Sequence, residues 1–193
     1  MLLSRNLPNS VTALAALLVA VVLTGCKRET LIAPVPDTRA IPTEARSIDL
    51  DGNGSVDFVF SYIGYQTTDY PPSATSWLLN VYARDSNQVQ FAHPSGPVPM
   101  RDSVLIDETI GWADYGASLA SVNWNYSRGW DSTWSGIWIG VGERSLGLRL
   151  RKTGLYHYGW VKLSVGLHDG VLTIADSGYQ ILPNTPILAG IRP

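Results

Sequence analysis

The stretch "YHYGWVKLSVGLHDGVLTIADSGY", Tyr156 to Tyr179, decides the fold. In its first half Trp160, Lys162 and Ser164 alternate with Val161, Leu163 and Val165, and an extended chain sends alternate side chains to opposite faces. The pattern predicts a half-buried sandwich strand, with the valine and leucine side in and the other side out. Asp169-Gly170 then supplies a tight hairpin turn, and Val171 to Tyr179 reads as the returning strand. Gly159, between Tyr158 and Trp160, reads as a place where a neighbouring side chain packs onto the strand.

The same texture extends outward from this hairpin. From Ser47 onward, short runs rich in Val, Ile, Tyr, Trp and Leu are separated by Gly, Pro, Asn, Asp and Ser, the mark of an all-β domain. Further strands are expected at 56–64, 76–84, 88–92, 103–110, 120–127, 136–142 and 145–151. About nine short strands and no long helical period predict an all-β fold, a β-sandwich or a jelly-roll-like domain. There is no internal repeat.

The N-terminus reads differently. "VTALAALLVAVVL", Val11 to Leu23, is too short for a comfortable membrane span and has the length of a secretory signal core. The "LTGC" that ends at Cys26 resembles the lipobox of bacterial lipoproteins. That resemblance implies cleavage before Cys26, acylation of its thiol, and anchoring in the bacterial cell envelope, at the outer membrane on its periplasmic face or at the surface. More than one acyl chain makes such an anchor stable. The expected organisation is a cleaved signal over 1–25, a lipidated Cys26 with an extended tether over 26–45, and one sandwich domain over 46–193. Pro34, Pro36 and Pro42 support the tether.

Without the 25-residue leader and its single arginine, 168 residues carry thirteen basic and sixteen acidic side chains, a net charge of −3. That balance gives no footprint for nucleic acid. Cys26 is the only cysteine, so stability has to come from the core and from any bound metal rather than from disulfides.

"IDLDGNGSVDF", Ile48 to Phe58, holds the strongest candidate site. Asp49, Asp51, Asn53 and Asp57 fall at loop positions 1, 3, 5 and 9, Gly54 at the turn position, and Ser55 offers a carbonyl at position 7. Calcium takes six to eight oxygens, and this alternate spacing converges them. Three acids so close repel one another unless something neutralises them. The pattern resembles the calcium loops of EF-hand-like, dockerin, thrombospondin type 3 and integrin-type repeat families. Phe60 stands where an EF-hand has its bidentate Glu, so a helix–loop–helix sensor is excluded. The remaining ligands are sought in water or in Asp69, Asp107 or Glu108. Calcium here is expected to be structural, and the competing reading is a plain polar turn.

Catalysis finds little support. His93, His157 and His168 have no metal-ligand spacing, there is no nucleophile elbow, and Asp107, Glu108 and Asp114 form no glycosidase strand motif. A non-enzyme is expected, with a polysaccharide hydrolase as the remote alternative. Trp124 and Trp138 read as core residues. Trp130 and Trp134, in "SRGWDSTWSG", read as exposed rings which with Tyr126 could stack on sugar. "RLRK", Arg149 to Lys152, reads as a solvated cluster with a lesser option of touching anionic envelope polymer.

The C-terminal third also resembles a group of uncharacterised bacterial exported proteins. The matching residues are Gly147-Leu148-Arg149, His157-Tyr158-Gly159-Trp160, Thr173-Ile174-Ala175-Asp176 and Pro186 to Gly190, together with the acidic loop. The resemblance implies a β-sandwich and carries no activity. The expectation from sequence is therefore a lipid-anchored, calcium-stabilised binding module, with polysaccharide as its candidate ligand. The alternative is a non-catalytic protein-interaction or envelope-assembly lipoprotein.

Overall fold

The computed structural model of the chain describes residues 44–66, 74–125 and 131–193. The strands, in chain order, are β1 (Arg46–Ile48), β2 (Phe58–Gln66), β3 (Ala74–Ala83), β4 (Gln88–Gln90), β5 (Leu105–Ile106), β6 (Trp112–Ala113), β7 (Ala117–Asn125), β8 (Asp131–Ser135), β9 (Arg144–Lys152), β10 (Leu155–Val165), β11 (Leu172–Tyr179) and β12 (Ile187–Leu188). They form two five-stranded antiparallel sheets, ordered β1-β2-β3-β7-β8 and β11-β10-β9-β4-β6, and a short β5–β12 pair.

One hydrophobic core joins the two sheets. Phe58, Phe60, Leu79 and Val81 come from the first, and Leu146, Leu148, Leu150, Val161 and Leu163 from the second, each at most 1% exposed. All stand at alternate positions of their strands, as the pleat requires. Burial of each such side chain contributes about 1.5–3 kcal/mol. The domain is an all-β sandwich, as the opening stretch predicts. Tyr62 ties the sheets across the core: its hydroxyl donates to the Gly170 carbonyl and accepts from the Leu172 N–H, both at 2.9 Å.

The outer side of β10 differs from the expectation. Trp160 is fully buried, because a second cluster of Met100, Ile106, Ile187 and Ala189 covers that face with Tyr158 and Trp160. Its indole N–H donates to the Ile191 carbonyl at 3.1 Å. Its cross-strand neighbours are Gly147 on β9 and Gly178 on β11, and Gly178 leaves room for the ring, since a β-carbon there would lie 3.0 Å from it. Alternation within one strand reveals two faces, but it does not reveal that a distant segment roofs one of them.

The strand expected at 136–142 is also replaced. Gly136, Gly140 and Gly142 adopt φ of 129°, 67° and 73°, outside the extended range of a strand. The segment turns and pairs with β10 at the Ile139–Val165 bridge. The polar "DSTWS" before it instead forms β8, paired with β7 from Ser121↔Ser135 to Asn125↔Asp131. Likewise the long strand expected at 103–110 shrinks to β5.

Candidate functional site: the acidic loop between β1 and β2

The loop is closed at its neck by the Asp57 N–H donating to the Ile48 carbonyl at 2.8 Å. Gly52 and Gly54 take φ of 71° and 89°, and these left-handed corners fold the acidic side chains inward. Asp49 accepts from the N–H groups of Asn53, at 3.1 Å, and Gly54, at 2.6 Å. Asp51 accepts from the Asn53 N–H and from its side-chain amide, at 3.1 and 3.0 Å. The Asn53 side-chain oxygen in turn accepts from the Ser55 N–H at 2.7 Å. Carboxylate oxygens of Asp49, Asp51 and Asp57 all lie within 4.8 Å of one another.

Asp57 is the loop's interior brace. Only 8% exposed, it accepts from the Leu50 N–H at 2.7 Å and from the Asn87 amide at 3.3 Å. The Asn87 carbonyl oxygen accepts from the Arg151 N–H at 2.9 Å, so one asparagine links the loop to β9. Burial pushes the Asp57 carboxyl above its ordinary range. Hydrogen bonds from Leu50 and Asn87 oppose that rise, and repulsion from Asp51 and Asp49 adds to it. Leu50 anchors the loop from the other side. A β-carbon on Gly159 would lie 2.9 Å from its Cδ2 atom, so Gly159 is the seat for a neighbouring side chain that the sequence suggests.

Lys152, at the end of β9, is the group that sequence reasoning missed. Its ammonium pairs with Asp51, whose side chain is 2% exposed, and lies 5.0 Å from the centre of the Tyr179 ring. Burial raises the Asp51 carboxyl, but hydrogen bonds from Lys152 and Asn53 outweigh it and hold the group below its usual value. Burial likewise lowers the Lys152 ammonium, and Asp51 more than reverses this. The charges of the loop are thus partly neutralised from within the chain. "RLRK" is not a uniformly solvated cluster, since Lys152 serves this loop and Arg149 is packed elsewhere. Nothing in the local spacing could have joined Lys152 to Asp51, because they come from different sheets and meet only where the two sheets pack.

The donor set fits a calcium ion. Three carboxylates converge at a spacing that oxygens around one cation at about 2.3–2.6 Å can reach, with Asn53 beside them. The further acids suggested as ligands do not join this group. Asp107 accepts from the N–H and hydroxyl of Thr109, at 2.8 and 2.6 Å, in an exposed turn, and neither it nor Glu108 belongs to the cluster. Asp69 lies outside the described residues.

Of the second candidate site, the structure describes Trp134 alone. Trp134 is 8% exposed and belongs to the core, its ring edge-on to Tyr62 with centroids 6.2 Å apart at 79°. Thr133 and Ser135 on either side of it are exposed, and Trp134 itself points inward, opposite Val122. Trp138 is core as expected, its indole N–H donating to the Pro97 carbonyl at 2.6 Å. Tyr126, Trp130 and Cys26 lie outside the described residues. No family model matches the chain, and neither a curated protein nor a solved structure matches it.

Proposed function

We propose that this chain is a lipid-anchored envelope β-sandwich that works by binding, with its acidic loop filled by calcium as a structural clamp. The observation that supports the clamp is the convergence of Asp49, Asp51 and Asp57 within 4.8 Å at the mouth of β1 and β2. Asp57 and Leu50 connect that point to β9 and β10, so an ion there would fasten the first strand pair to the second sheet. In this reading Cys26 holds the membrane and residues 26–45 are the tether.

The test is a thermal melt of the full chain in detergent, in millimolar calcium and in chelator. At a hundredfold saturation, a ligand that binds only the folded state adds about 2.7 kcal/mol, which for a domain of this size is roughly 5–11 °C. The shift should vanish in Asp51→Asn. No shift in the wild type would leave a polar turn neutralised by Lys152. The binding role is tested by retardation of the same chain in native gels cast with neutral or acidic polysaccharides. If none retards it, the protein-interaction or envelope-assembly reading takes its place.

A further inference from the structure

On the outer face of the second sheet, Gln88, Arg149 and Tyr158 stand side by side on β4, β9 and β10. The Arg149 guanidinium lies between two rings, 4.6 Å from the Trp112 centroid and 3.9 Å from that of Tyr156. Its Nε donates to the Gln88 side-chain oxygen at 2.6 Å, and the Tyr158 hydroxyl is its other polar neighbour. Trp112 is itself fixed, its indole N–H donating to the Asp107 carbonyl at 3.1 Å. The site is therefore built from several elements, which fix the guanidinium by two ring contacts and a hydrogen bond.

What this half-buried cation lacks is an anion. Among the described residues the ion pairs are Arg46–Glu44, Lys152–Asp51, Lys162–Asp102 and Arg192–Asp176, and none includes Arg149. Burial lowers its pKa, with the two tyrosines working against the shift. A partly desolvated charge without a counter-charge is costly, and ring contacts return only part of that cost. Arg151, the next residue on the same face, is exposed and about 7 Å further along the strand.

We propose that Arg149, with Arg151 beside it, binds carboxylates of an acidic, uronate-type polysaccharide. The inference rests on the binding reading above and names the polymer class and the face. A guanidinium held between rings offers its edge, and that edge matches a carboxylate in two parallel hydrogen bonds. Two cations one pleat repeat apart suit a polymer with repeated carboxylates better than a single small anion. The amide of Gln88 borders the site as a neutral partner for sugar hydroxyls. The nearest acids are Asp107 and Glu108, which act electrostatically on Tyr158. Asp107 is held in its turn by Thr109, and both acids are local charges that oppose the ligand.

The test uses the full chain in detergent and measures binding to polygalacturonate, its methyl ester, dextran and polyglutamate. Polygalacturonate should bind and the methyl ester should not. Arg149→Lys keeps the charge but loses the planar fork, and should weaken binding roughly tenfold. Arg151→Gln, at an exposed position that folding does not need, should weaken it roughly two- to fivefold, and Glu108→Gln should strengthen it by a similar factor. Unchanged binding in both arginine variants would overturn the site. Binding of dextran that ignores Arg149 would overturn it while sparing the binding-module reading. Failure of every polymer would overturn both readings. Equal binding of polyglutamate would overturn the glycan and point to an acidic protein instead.

Discussion

The acidic loop and the segment around Trp134 both stand out in the sequence, each as a dense run of one kind of chemistry. In the fold they part. The loop remains at the surface with its carboxylates gathered, whereas Trp134 turns into the core against Tyr62. The loop's geometry is set within a few residues by two left-handed glycines and by Asx-type hydrogen bonds between neighbours. The orientation of Trp134 is set by a strand register that depends on β7, so its polar neighbours in sequence say little about its own surroundings. Local chemistry survives folding when local bonds hold it, and it is reassigned when a distant partner fixes the face.

The largest expected effect tests the core side of this contrast. Trp134→Ala should cost about 3–5 kcal/mol, the range for a buried aromatic removed from a packed site. In a domain of this size that lowers the melting temperature by roughly 6–20 °C. An exposed stacking residue would change stability by no more than about 0.5 kcal/mol. A melt within a degree of wild type would return Trp134 to the surface and restore it as a sugar platform.

A smaller effect sharpens the loop side. In chelator, Lys152→Met should cost about 1–3 kcal/mol, since it leaves the Asp51 carboxylate, whose side chain is 2% exposed, without its cation. In calcium titrations the same variant should bind several times more tightly, because the ammonium no longer occupies Asp51. Calorimetric titration of both proteins measures this. Equal or weaker calcium affinity in Lys152→Met would mean that the ammonium and the cation do not share Asp51.

The sandwich was legible because alternation reports on backbone geometry, and residues such as Val161, Leu163 and Leu148 need only their own strand to be read correctly. The loop was legible from its own spacing of acids and glycines, and Gly159 as a seat for a neighbour, but that the neighbour is Leu50 shows only in the fold. Trp160 was misread because its cover comes from segments near Met100 and Ile187, remote in sequence. Lys152 and Arg149 escaped separately. They sit three positions apart on β9, yet one meets an acid from β1–β2 and the other two rings from β6 and β10. Charge and spacing specify what a side chain can do, and only the topology specifies which partner it meets.

The smallest expected effect is in the pH dependence, where Asp51 and Asp57 act with opposite sign. Asp51 sits below its ordinary 3.8 in the fold, so its contribution is complete above that value and is lost as pH falls through the lowered folded pKa. Asp57 sits above 3.8, so the folded state takes up its proton first. In chelator, stability should therefore rise slightly as pH falls from the raised Asp57 value towards 3.8, and drop below it. Asp57→Asn should abolish the rise and Asp51→Asn should blunt the drop. In calcium the rise should invert, because a cation held by carboxylates competes with the proton on Asp57. Melting temperatures across pH 3–6, with and without calcium, provide the measurement. A wild-type profile that falls steadily through this window in chelator, and is unchanged by either substitution, would mean that the buried Asp57 does not titrate as part of the loop.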